Sequence, residues 1–240
     1  LFAMEEKFLF EFGLIVSALG SISDRVSLLN PLNRLIVSEG VRLYAESDRE
    51  GVKVLRKLSE GHHLMIKPRN LSRTVVPRLN APGRIGNPAE NIPDSSVVVD
   101  LLLLGRGKKN ARKADGVKRL FKSVLNLERE MKVESNVQKE NAYGVAVDVN
   151  NVNEKRKYIT SKIEDEMDVL IDDQVDVEVD KIIIVQGKNW NSGVIGIDTD
   201  RLKERFLRPA IILTTQIDTE YVRGSCRSIP RINMYEIIDA

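Results

Sequence analysis

The chain has 240 residues, with 37 Lys+Arg against 35 Asp+Glu, so its formal net charge is only +2. That balance excludes binding driven by global positive charge, and any nucleic-acid site must be a local patch. Apolar residues at 42% and charged residues at 30% exclude a disordered chain. The single cysteine, Cys226, excludes an intramolecular disulfide and fits a reducing, cytoplasmic setting. No apolar run approaches the roughly 20 residues of a bilayer span.

The chain opens at Leu1 inside an apolar pattern and stops at Ala240 just after a helix start, which reads as a cut through folded elements. Phe8 to Leu19 is apolar without a polar face and predicts a fully buried helix ending near Gly20. Asn30-Pro31 marks a turn. Leu32, Leu35, Ile36 and Leu43 have helical spacing, and Val52, Leu55 and Leu58 predict a second short helix. From Gly61 to Pro93, Pro, Gly, Asn and Arg dominate with no sustained period, so a long loop is expected. Val97 to Leu104 fits a buried strand or a buried helix equally.

Lys108, Lys109, Arg112 and Lys113 form a basic run, read as a solvated face. Val117 to Met131 carries the cleanest amphipathic helical pattern in the chain. Val145, Val147 and Val149 alternate as in a half-buried strand. Lys181 to Val185 predicts a strand covered on both faces of a parallel sheet. A helix is expected from about Ser192 to Leu207, stopped by Pro209, and strands at Ala210–Thr214 and Tyr221–Arg227. Asn233 with Glu236 resembles a capping box opening a helix at Met234. Strand–helix–strand order implies an α/β domain.

Three stretches carry chemistry. Asp24 leaves a buried helix, either as a turn residue or as a carboxylate ligand for a hard divalent metal. Pro77 to Gly86 holds Arg78, Asn80 and Arg84; guanidinium forks suit phosphate, and an amide suits a base or sugar edge, although an ordinary arginine-bearing loop has the same composition. Gly187 to Gly196 joins a strand to a helix, where backbone amides face an anion and glycines allow close approach. Trp190 there either stacks on a base or roofs the core. Gly224, Ser225, Arg227 and Ser228 offer a second cradle of hydroxyls and a guanidinium.

In this order, Ala18–Val26, Pro77–Gly86, Trp190–Phe206 and Gly224–Pro230 resemble the RecJ branch of the DHH phosphoesterase superfamily. The resemblance implies an α/β protein. Residues 1–113 would be the mostly helical C-terminal part of a DHH domain, 114–142 a long connecting helix, and 143–240 an incomplete DHHA1 substrate-binding domain with a mixed sheet. It implies a phosphodiesterase using Mn2+ or Mg2+, a 5′→3′ exonuclease on single-stranded DNA. Asp24 would be one of the metal-binding aspartates. Arg78, Asn80 and Arg84 would grip substrate near two metals about 3.5–4 Å apart. Trp190, Asn191, Ser192, Gly193, Gly224, Ser225, Arg227 and Ser228 would line the phosphate side.

The Asp-His-His and Gly-Gly-His motifs of the family are absent from these residues, and His62-His63 has no preceding Asp to replace the first. One aspartate does not hold two metals, so the chain alone is expected to be inactive and a full-length parent active. Asn191 stands where many members have histidine, an archaeal-type trait, and Asp198 and Asp200 replace small residues. Two rival readings follow from the same resemblance. One is a non-catalytic scaffold binding the GINS complex or another replication or repair protein. The other is a phosphodiesterase of short oligoribonucleotides or cyclic dinucleotides. His62 and His63 lack companions for a zinc set. Gly105-Arg106-Gly107-Lys108 falls short of a P-loop.

Overall fold

In the computed structural model, residues 2–59, 66–104, 142–216 and 221–239 are described. They divide into two compact units, Leu1–Pro82 with Gly86–Asn153, and Gly83–Ile85 with Glu154–Ala240. His62-His63, the basic run and the amphipathic stretch of the expected connecting helix lie outside the described residues. No described helix is long and apolar enough to cross a membrane.

The first unit is helical: α1 (Phe2–Ser23), α2 (Pro31–Glu46), α3 (Glu50–Ser59), α4 (Pro68–Ile85) and α5 (Ser96–Leu103), followed by the first part of α6 (Ala142–Gln174). The α1 pattern is not buried all round. Phe12, Ile15, Ala18 and Leu19 are buried, but Phe10 is 68% exposed, so the helix is one-sided. At the start of α2 the Asn30 side chain accepts from the Leu32 amide at 2.9 Å with Pro31 in the first turn, a capped start. Gly40 brings α2 onto α1, because a Cβ there would strike the Leu14 carbonyl and the Ala18 methyl. Ile15, Leu19, Val37, Val41, Tyr44, Val52, Leu71 and Val75 form the core of this region.

Two sequence readings fail here. The expected loop at 61–93 contains α4, which holds Pro77 and Pro82 in its interior. Each proline removes an amide donor and costs a helix about 3 kcal/mol. Burial of Leu71, Val75, Ala81 and Ile85 along one stripe, with Val76 also buried, outweighs that cost. Likewise the expected strand at Val145–Val149 is helix α6. Val145, Ala146, Val149 and Val152 are buried at helical spacing, and Val145 and Val149 join a cluster with Leu55 and Leu101. Val97–Leu104 resolves as helix α5. Its last carbonyls, Leu102 and Leu103, accept from the buried Arg49 guanidinium at 3.2 and 3.0 Å. Burial pulls the Arg49 pKa down to about 10, and a cation suits this end of the helix.

The second unit contains the rest of α6, then β1 (Ile183–Lys188), α7 (Ile195–Phe206), β2 (Ala210–Thr215), β3 (Val222–Arg227) and α8 (Met234–Asp239). The sheet runs β1-β2-β3, with β1 parallel to β2 and β3 antiparallel to it, so it is mixed as expected. The strand read as covered on both faces is not: Ile183 and Val185 are buried, whereas Ile184 is 45% exposed. The β1 edge is met by Gln174, whose amide donates to the Gln186 carbonyl at 3.1 Å and accepts from its N–H at 2.8 Å. At the start of α8, Asn233 accepts from the Tyr235 amide at 3.2 Å and donates to Glu236 at 2.7 Å.

Candidate functional site

The site of interest in the second unit is the turn from β1 into α7 and the strand end beside it. The chain leaves β1 through Asn189, at φ 57, a left-handed conformation that asparagine tolerates. Trp190 then turns inward. It is 3% exposed, its ring packs where a Gly187 side chain would lie, and its Nε1 donates to Glu166 at 2.7 Å. Of the two readings of this tryptophan, it roofs the core. The next turn is built by Asn191, whose Oδ1 accepts from the Gly193 amide at 2.9 Å. Arg84 closes it from outside: its Nη1 donates to the Gly193 carbonyl at 3.2 Å, and its own carbonyl fills the space of a Gly193 side chain.

Helix α7 starts without a side-chain cap, since Val194 is at the cap position. Backbone carbonyls answer two of its first amides instead: Ile195 N–H donates to the Asn191 carbonyl at 3.4 Å and Ile197 N–H to that of Val194 at 2.8 Å, while this end of the helix dipole stays partly positive. Gly196, in that turn, faces β3. A Cβ there would be 3.2 Å from Arg227 Nη2 and 3.3 Å from Ser225 Oγ. Antiparallel pairing with β2 brings β3 to this place, and Gly224 lies so close that a Cβ would be 2.7 Å from Leu213 Cδ2. A partly positive helix end, a hydroxyl and a guanidinium thus share one spot, surroundings that favour an oxyanion. Ser228 turns elsewhere, its hydroxyl donating to the Ile229 carbonyl at 3.2 Å and to that of Ile232.

The other expected residues lie in the first unit. Asp24 is exposed just past α1, its amide bonded to the Gly20 carbonyl at 2.9 Å. Beside it, Ser23 Oγ accepts from Asn80 Nδ2 at 2.8 Å, tying α1 to α4. Arg78 is held by Asn150 at 2.9 Å and by the Thr74 carbonyl at 2.6 Å. Arg84 differs, belonging with the Gly193 turn. Among the described residues no group of three His, Cys, Asp or Glu is placed to hold a metal. Asp24 offers one carboxylate, at most two oxygens, where hard divalent cations take six or more, so these residues do not by themselves fit a metal site.

Sequence reasoning missed the charges under α7. Asp198 is fully buried, neither carboxylate oxygen accepts a hydrogen bond, and Arg201 Nη1 is 3.6 Å away. Burial pushes its pKa up to about 7, against the pull of Arg156. Burial, then Arg84 and Arg201, lowers the Arg156 pKa. Of Asp198, Arg156 and Arg201, the sequence singled out Asp198 alone, together with Asp200, as a departure. Arg156 lies on α6, in a stretch that the sequence reading assigned to no element.

The mixed sheet with its crossover helix and glycine-bounded turn defines a DHHA1 domain, the family model that residues 179–240 match. Similarity extends well beyond it. The chain is 30% identical to the single-stranded-DNA-specific exonuclease RecJ of Bacillus subtilis, over 92% of this chain and 23% of that protein. It is 27% identical to the RecJ of Escherichia coli, over 92% of this chain and 32% of that protein. Crystal structures of Thermus thermophilus RecJ with Mg2+ (TM-score 0.64, 20% identity, 95% of this chain and 28% of that one) and of an exonuclease RecJ bound to manganese (TM-score 0.58, 22% identity, 94% and 46%) have the same fold. The chain is a RecJ-like DHH/DHHA1 protein, and it spans between about a quarter and a third of the length of these curated relatives.

Asp198 yields a stability prediction. Its folded pKa, near 7, lies above the unfolded value, so the native state holds the extra proton between about pH 4 and pH 7. Stability from this group is therefore full below about pH 4 and lost progressively between about pH 4 and pH 7, by up to about 1.4 kcal/mol per unit, with no further loss above that. Thermal melts of wild type and Asp198→Asn between pH 5 and 8 should diverge, with the wild-type Tm falling relative to the variant. Parallel curves would contradict the assignment.

Proposed function

We propose that this chain is the nucleotide-holding part of a RecJ-like phosphodiesterase that uses Mn2+ or Mg2+ and hydrolyses single-stranded DNA from the 5′ end, a cytoplasmic enzyme. The names of the RecJ relatives support the substrate class, and the metals in the neighbouring structures support the cofactor. The observation that carries the reading is the convergence at Gly196 of Arg227 Nη2 and Ser225 Oγ over the uncapped start of α7. A phosphodiester is a monoanion with two free oxygens. One oxygen suits the partly positive helix start, and the other suits the guanidinium and hydroxyl.

In this reading Ser192 lies beside the sugar–phosphate backbone, Gly193 and Gly224 allow the close packing on the Arg84 carbonyl and on Leu213 that shapes the site, and Asn191 fixes the turn through its bond to the Gly193 amide. Arg84 holds that turn from outside and carries a charge close to the same phosphate. Arg78 and Asn80 contact substrate beside Asp24, which contributes one ligand to a metal centre completed by other residues. On this view the 240-residue chain alone does not digest 5′-labelled single-stranded DNA with manganese, and digestion by the purified chain would overturn it.

Arg227→Ala tests the phosphate site. Binding of a fluorescein-labelled dT oligonucleotide, followed by anisotropy across salt concentrations, should weaken about tenfold. The slope of log Kd against log salt should shrink by roughly 0.7, the loss of one phosphate contact on a single strand. Arg42→Ala, which removes an exposed arginine paired with Glu39 and Glu46 on α2, should leave both unchanged. An unaltered slope for Arg227→Ala would remove it from the site.

A further inference from the structure

Arg227 is held on several sides. Its Nη1 donates to the Cys226 carbonyl at 2.9 Å and to Ser225 Oγ at 3.3 Å. Its Nε is 3.2 Å from Asp200 Oδ2. The Asp200 carboxylate is in turn held by Lys203, whose Nζ is 3.1 Å from Oδ1. Asp200 lies on α7 four residues after Gly196, one turn further along the same face. With Nε engaged by Asp200, the rigid plane of the guanidinium leaves Nη2 projecting over Gly196.

We propose that Asp200 is a positioning residue. It grips Arg227 by Nε so that Nη2 stands ready over the first turn of α7 for one phosphodiester group of a single-stranded nucleic acid. The inference rests on the phosphate reading above and adds to it. A negative charge this close to a phosphate would by Coulomb's law alone weaken binding. Its presence on the helix face that should meet an anion makes sense if fixing the arginine outweighs that repulsion, as preorganisation does in other binding sites. Burial raises the Asp200 pKa, but hydrogen bonds from Lys203 and Arg227 outweigh it and hold the carboxyl below its usual value, so the grip persists at neutral pH.

The sign of the effect is the test. With the complete chain and a labelled dT oligonucleotide, Asp200→Ala should weaken binding at least fivefold although it removes a negative charge. Asp200→Asn keeps an oxygen for Nε and sheds the charge, so it should bind within twofold of wild type or tighter. Tightening by both variants would mean that Asp200 only repels phosphate, and would overturn the proposal. A second readout needs no variant. In 1H–15N spectra of the wild-type chain, the Arg227 Nε–H signal should stay protected from exchange as oligonucleotide is added, while the Nη signals move. Loss of the Nε–H signal on binding would show Arg227 leaving Asp200, and would also overturn the proposal. If Arg227→Ala leaves affinity unchanged, the phosphate reading itself fails. If Arg227→Ala weakens binding while Asp200→Ala tightens it, only the positioning role fails.

Discussion

The start of a helix carries a partial positive charge, and at α7 no side-chain cap covers it. The architecture of the second unit follows from bringing other groups to that point. A parallel β1–β2 pair sets the helix between two strands, and the antiparallel return of β3 carries Ser225 and Arg227 to its first turn. Gly196 permits the approach. A side chain there would press on both the guanidinium and the hydroxyl. Gly193 does the same for the preceding turn, where the Arg84 carbonyl occupies the space.

The concentration of arginines has consequences that net charge hides. The chain as a whole is at +2, yet Arg84, Arg156, Arg201 and Arg227 gather about one helix start. Such a gathering is tolerable only with carboxylates among the cations. Asp198 and Asp200 supply them in different ways. Asp198 is buried and half-titrated near neutrality, whereas Asp200 is partly exposed, paired and ionised. Two acids two residues apart on one helix point to different sides, which is why they meet different arginines. Glu166, lower on α6, answers the indole of Trp190 and fixes the turn from beneath.

Much of this was legible in the sequence where local chemistry decides. Asn30-Pro31, Asn233 with Glu236, and Pro209 mark real ends of helices. Strand β2 and strand β3 fall within a residue of their apolar and small-residue runs. Failures came where two local signals conflict. Pro77 and Pro82 spoke for a loop, although Leu71, Val75 and Leu79 repeat every four residues and win through burial and packing. Val145, Val147 and Val149 alternate by composition, but Ala146 and Val152 complete a helical stripe. Trp190 had two readings that only burial separates. The Asp200–Arg227 contact joins residues from a helix and a strand end, so no spacing rule reaches it. The resemblance to RecJ drew attention to both aspartates as departures but gave no partner for either.

The central claim is that the uncapped start of α7, with Ser225 and Arg227, holds a phosphate of single-stranded nucleic acid. A backbone 1H–15N titration of this chain with a short dT oligonucleotide tests it most directly. The account predicts the largest shifts at Ser192, Gly193, Gly196, Ser225 and Arg227, with α2 and α3 barely moving. Shifts confined to other elements, with the Gly196 and Arg227 amides unmoved at saturation, would contradict it.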